Sequence, residues 1–97
     1  MAIEDAAFWH LISGTRGGPN RLQILLELSN RPYNANQISE LISLDYKTTK
    51  RHLDLLLAAS LVRVSKEAKY GGLYFITDYA STKIGAFRKS LEKIRRW

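Results

Sequence analysis

Residues 44–62 read LDYKTTKRHLDLLLAASLV. Asp45 is a carboxylate placed to accept from the free N–H groups at a helix start, so a helix begins after it. Thr49, Leu53, Leu56 and Leu57 follow at steps of four, three and one, which puts them on one inward face. Tyr46, Lys47, Thr48, Lys50 and Arg51 fill the other positions of the first turns. The helix thus opens with a cluster of hydrogen-bond donors, three of them cationic. Ser60 stands at its end, where a left-handed residue is favoured.

Working towards the N-terminus, Asn34-Ala35-Asn36-Gln37 has the Asn and Gln spacing of a capping box. It predicts a short helix with Ile38, Leu41 and Ile42 on one side, ending near Ser43-Leu44. Two helices so close together, the second basic at its start, make a helix-turn-helix over 35–59. Before it, Pro19 suits the first turn of a helix carrying Leu22, Leu25, Leu26 and Leu28, which stops at Asn30-Arg31-Pro32. A first helix is expected over 3–14, with Ile3, Ala6, Ala7, Trp9 and Leu11 wrapping more than one face.

Working towards the C-terminus, Val62 to Lys66 alternates apolar and polar residues, and Leu73 to Thr77 is rich in strand formers. Gly71-Gly72 supplies the positive φ angles of a hairpin turn. The expectation is a two-stranded hairpin over 62–77 with a basic tip, followed by a helix capped by Asp78 and covering 79–96. Along that helix Ala80, Ile84, Phe87, Leu91 and Ile94 recur at steps of four and three. So narrow a stripe fits a contact between subunits; packing on the chain's own core is the alternative. The predicted order is four helices, two strands and a fifth helix: a mostly α, winged helix-turn-helix chain with one domain over 1–97.

At 45% apolar and 25% charged, 97 residues have the composition of an ordinary globule with one small core. The charge is uneven. Residues 1–44 hold three Arg against four acids, and residues 45–97 hold twelve Lys and Arg against five. Net charges of −1 and +7 in the two parts are the footprint of a polyanion-binding surface. There is no Cys, which removes disulfides, thiolate metal ligands and thiol nucleophiles. The acidic N-terminus is unlike a secretory signal, and no apolar run nears the roughly 18 residues of a spanning helix. A soluble, cytoplasmic protein without a membrane contact is the expectation. No Gly-rich phosphate loop or carboxylate pair in a glycine-bounded loop points to an enzyme.

The stretch 44–62 resembles the recognition segment of ArsR-type winged-helix transcription factors. Thr48, Arg51, His52, Leu53, Leu56, Ala59, Leu61 and Val62 fall in register with that family's pattern. The resemblance continues through the hairpin and Tyr74-Phe75-Ile76-Thr77-Asp78, and more loosely over the earlier helices. It implies a packing role for His52, and a dimer made by the first and last helices, burying Phe8 and Trp9. The family's metal sensors use a cysteine pair on the recognition helix, or carboxylates and histidines on the last helix. This sequence has neither, so no metal or other cofactor is expected.

The combined expectation is a sequence-specific regulator of transcription, a repressor that binds double-stranded DNA as a homodimer. Arg51 is the candidate for a bidentate contact to guanine, a phosphate contact being the alternative, with Lys47 and Lys50 on phosphates and Tyr46 and Thr48 beside them. Lys66, Lys69 and Tyr70, assisted by Arg63, would lie on the backbone or in the minor groove. For Tyr70, folding back over the hairpin is the alternative. Ile3, Phe8, Trp9, Ala80, Ile84, Phe87, Leu91 and Ile94 would form the dimer interface. An architectural DNA binder and a winged helix that docks on other proteins are the competing functions; the sequence names no small-molecule effector.

Overall fold

A computed structural model describes the backbone of residues 3–66 and 71–95, and the side chains of 6–66 and 71–89. Its elements are α1 (Ile3–Ser13), α2 (Gly18–Leu28), β1 (Tyr33–Asn34), α3 (Ala35–Ile42), α4 (Tyr46–Ala58), β2 (Val62–Val64), β3 (Leu73–Ile76) and α5 (Asp78–Arg95).

The sheet has three strands rather than two, in the antiparallel order β1-β3-β2. The added strand pairs Tyr33 with Tyr74 and Asn34 with Leu73. Two residues beside a proline carry no alternation to read. Their strand arises because Asn34 is extended, at φ −83° and ψ 169°, the backbone its capping role already requires. One conformation serves both the cap of α3 and the ladder to β3.

Both helix ends that frame the helix-turn-helix use left-handed serines. Ser43 has φ 58° and Ser60 φ 60°. At each, the two N–H groups past the helix bond back in the pattern of a Schellman turn: Ser43 to Glu40 and Leu44 to Ser39, Ser60 to Leu57 and Leu61 to Leu56. Leu56 and Leu61, which this brings together, are both buried. The cap of α5 is Thr77 rather than Asp78, its hydroxyl accepting from the Ala80 N–H at 3.2 Å. The same hydroxyl donates to the Ser60 carbonyl at 2.9 Å and so ties the start of α5 to the end of α4.

The core is filled by Ile24, Leu25 and Leu28 of α2, Ile38 of α3, and Leu53 and Leu56 of α4. Phe8 and Ile12 of α1, Tyr74 of β3, and Ala80 and Ile84 of α5 complete it. Each fully buried leucine keeps about 2–5 kcal/mol of stability that truncation to Ala would remove. Gly18 is buried where α2 starts against the end of α1, and a Cβ there would run into the Ile12 carbonyl. Thr49 is also fully buried, and its hydroxyl has no hydrogen-bond partner among the described residues. Among the described residues no helix is long and apolar enough to cross a membrane.

Candidate nucleic-acid interface

The helix-turn-helix is fixed by local chemistry at both starts. Asn34 Oδ1 accepts from the Gln37 N–H at 2.8 Å, and Gln37 Oε1 accepts from the Asn34 N–H at 2.9 Å, closing the capping box. Asp45 accepts from the Thr48 N–H at 2.9 Å. Hydrogen bonds from Thr48, side chain first and then backbone, hold the Asp45 carboxyl below its ordinary range. α4 therefore starts at Tyr46 with an ionised cap.

From that start α4 turns Thr49, His52, Leu53 and Leu56 to the core. Tyr46, 52% exposed, and Lys47, Arg51 and Asp54 lie on the surface, with Thr48 half-buried. Lys50 behaves differently from Lys47. Its Nζ donates to the Tyr74 hydroxyl at 3.2 Å and lies 3.6 Å from Asp54 Oδ1. The hydroxyl contact is the leading cause of a raised Lys50 pKa, so this side chain is held and charged. Tyr74 and Asp54 were not legible as site residues, because a strand tyrosine reads as core and an isolated acid reads as surface.

The wing separates the remaining basic candidates. In the register, Arg63 pairs with Phe75 while Val64 pairs with Tyr74, so Arg63 stands on the opposite sheet face from Tyr74 and Lys50. Its guanidinium lies 4.8 Å from the centre of the Phe75 ring. Lys66 is exposed beyond the end of β2. Lys69 and Tyr70 lie outside the described residues.

Behind α4 sits a buried cation that composition and period did not reveal. Arg21 of α2 is 4% exposed. Its Nε donates to the Leu11 carbonyl at 2.9 Å, its Nη1 to His52 Nδ1 at 3.1 Å, and its Nη2 to the Thr15 hydroxyl. Arginine can only donate, so His52 accepts through Nδ1 and carries its proton on Nε2. Burial, then the charges of Arg21 and Arg51, lower the His52 pKa. His52 is a packing and hydrogen-bonding residue, as its resemblance to the family implied.

The surface expected to pair two subunits is divided by the fold. Phe8, Ala80 and Ile84 are buried in the chain's own core and expose little surface. Ala80 and Ile84, the first two residues of the four-and-three stripe, are thus buried within the chain, where α5 packs on α2. Trp9, 37% exposed, and half-buried Phe87 remain at the surface. Their rings are 5.9 Å apart, and Trp9 also meets Phe8 edge to face at 4.9 Å. The side chains of Ile3, Leu91 and Ile94 lie outside the described residues. Nearby, Ala7, Phe8, Ala59, Ser60, Leu61 and Tyr79 line an open, mainly apolar cavity of about 420 Å³.

Residues 18–64 match the model of the arsR family of bacterial regulatory proteins. No curated protein matches the chain by sequence. Among solved structures it is similar to a predicted DNA-binding transcriptional regulator from E. coli, with 25% identity and a TM-score of 0.74 over 90% of this chain and 88% of that one. A homodimeric winged helix-turn-helix DNA-binding domain from Mycobacterium bovis, a possible ArsR-family regulator, superposes with a TM-score of 0.75 at 18% identity, covering 96% and 89% of the two chains. HlyU from Vibrio cholerae gives 0.71 at 21% identity over 91% and 96%. This family and fold are those of transcriptional regulators and not of enzymes.

Proposed function

Because the chain is an ArsR-type winged helix-turn-helix transcriptional regulator, we propose that it represses transcription by binding particular sequences of double-stranded DNA as a homodimer. The observation that carries this reading is the capped start of α4, where Tyr46, Lys47 and Arg51 stand on the surface while the opposite face is locked in the core. A helix so presented fits the major groove. Arg51 is the residue for a guanine edge, with Lys47 and Thr48 on flanking phosphates. Lys66, Lys69 and Tyr70 belong to a wing that follows the backbone or minor groove, and Arg63 assists from the other sheet face.

The dimer is supported by the exposed Trp9 beside Phe87 and by the homodimeric state of the Mycobacterium bovis relative. Two recognition helices related by a two-fold axis would address half-sites about 34 Å apart. For a bacterial regulator the place of action is the cytoplasm. No cofactor enters this reading.

Titration of specific and random duplexes across a salt series tests it. The specific site is expected to bind at least about 10³-fold more tightly than random sequence, and both affinities should fall as salt rises. Arg51→Ala should cost about 1–3 kcal/mol on the specific site and relax discrimination at its contact. Equal affinity for every sequence would indicate an architectural protein. Absence of any salt-sensitive DNA binding would indicate a docking module.

A further inference from the structure

A chain of contacts on the flank of α4 joins the helix to the sheet. Tyr74 is 3% exposed in the middle strand, so the position of its hydroxyl is set by the core. That hydroxyl accepts from Lys50 Nζ at 3.2 Å, and the ammonium also lies 5.9 Å from the centre of the same ring. Lys50 Nζ in turn lies 3.6 Å from Asp54 Oδ1, an ion pair one helical turn further on. The Asp54 side chain is 64% exposed, and its carboxylate makes no other polar contact among the described residues.

A carboxylate on a surface offered to DNA is repelled by every phosphate. It also accepts hydrogen bonds and cannot donate them. In the major groove its only favourable partners are the exocyclic amines, N4 of cytosine and N6 of adenine. Here the acceptor has a donor fixed beside it. A C·G pair presents the complement, the N4 donor of cytosine next to the O6 and N7 acceptors of guanine. An A·T pair also offers a donor and an acceptor, but the thymine methyl stands beside O4 and would strip water from a charged pair without replacing it.

We propose that Asp54 and Lys50, the latter positioned by Tyr74, are a specificity-determining pair that reads one C·G base pair in each half-site. Asp54 accepts from cytosine N4, and Lys50 donates to guanine O6 or N7 in place of the phosphate contact expected from the sequence. Tyr74 touches no base; it removes the freedom of Lys50 to follow the backbone. The pair rests on the DNA-binding reading above and adds to it the identity of a base pair.

The test is selection from a library of randomised duplexes by the full chain and by Asp54→Ala, Asp54→Asn and Tyr74→Phe, followed by titration of the recovered sites. The wild type is expected to recover a C·G position whose preference, about 5- to 150-fold, disappears in Asp54→Ala while the other positions persist. Asp54→Ala should also bind random duplex more tightly, since one negative charge has gone. Asp54→Asn should move the preference towards A·T, because an amide pairs with adenine N6 and N7. Tyr74→Phe should weaken discrimination at that same position with an unchanged salt dependence, a pattern that a loss of folded protein would not produce. Recovery of the same position by all variants overturns the pair and leaves the DNA-binding reading intact, as does a uniform loss of affinity for every sequence. A wild type that enriches no sequence overturns both.

Discussion

The burial of His52 has a consequence in acid. Its Nδ1 must remain unprotonated to accept from Arg21, and a proton there would set two cations against each other at hydrogen-bond distance. The imidazole pKa is lowered in the folded chain, so the unfolded chain takes up the proton first as pH falls. The associated stability is complete above the ordinary imidazole value of about 6.5 and is lost as pH falls through the lowered folded value. Urea unfolding followed from pH 7.5 towards pH 5 should show a falling midpoint. His52→Gln, which retains an acceptor but cannot titrate, should flatten that decline. Equal slopes for the two proteins would mean that His52 is not the group responsible. Much at this scale was legible: the packing role of His52 and the inward Thr49 follow from their places in the recognition segment. Arg21 was not legible, since an arginine on a leucine-rich helix reads as solvated. Only the convergence of the Leu11 carbonyl, Thr15 and His52 explains its burial.

Two element boundaries were readable because a side chain does the capping. Asn34 with Gln37, and Asp45, announce their helices because carboxylate and amide acceptors at fixed spacing have few other uses. The strand at Tyr33–Asn34 was missed because its partner lies about forty residues away and nothing local reports a long-range ladder. The cap at Thr77 was assigned one residue late, since Asp78 is an equally good acceptor on paper. The left-handed Ser60 was anticipated, whereas Ser43, under the same constraint, gave no separate signal. A side chain in that region is strained by roughly 1–2 kcal/mol, partly offset by the greater unfolded freedom of glycine. Ser60→Gly should therefore stabilise the chain by about 1 kcal/mol, or roughly 4–8 °C in melting temperature. The backbone carbonyl that Thr77 uses is kept in the variant. A lower melting temperature would show that the serine hydroxyl does more at this turn than its geometry implies.

For the whole molecule, the charge asymmetry of the sequence survives folding as a placement. The basic residues of α4 stand on the far side from the core, and α1 and α5 cover the core with aromatic rings. Where the stripe on α5 packs was only half legible. A period of 3.5 marks a helix that packs on something, and the sequence cannot say whether that something is the same chain. Ala80 and Ile84 went to the core; Trp9 and Phe87 are what a second copy can use. Phe87→Glu should give monomers in sedimentation at concentrations where the wild type is dimeric, with its helix content retained. Loss of the wild type's preference for a two-half-site duplex over a single half-site duplex should accompany the change. Dimers that survive the substitution would place the interface elsewhere.

The guanidinium of Arg21 also has a mechanical meaning. It is pinned to the last turn of α1 at Leu11, to the elbow at Thr15 and to α4 at His52, the residue next to Arg51. Three anchors on one planar group fix its place between the two helices. The helix that displays Trp9 and the helix that displays Arg51 thus share one buried side chain as a common anchor.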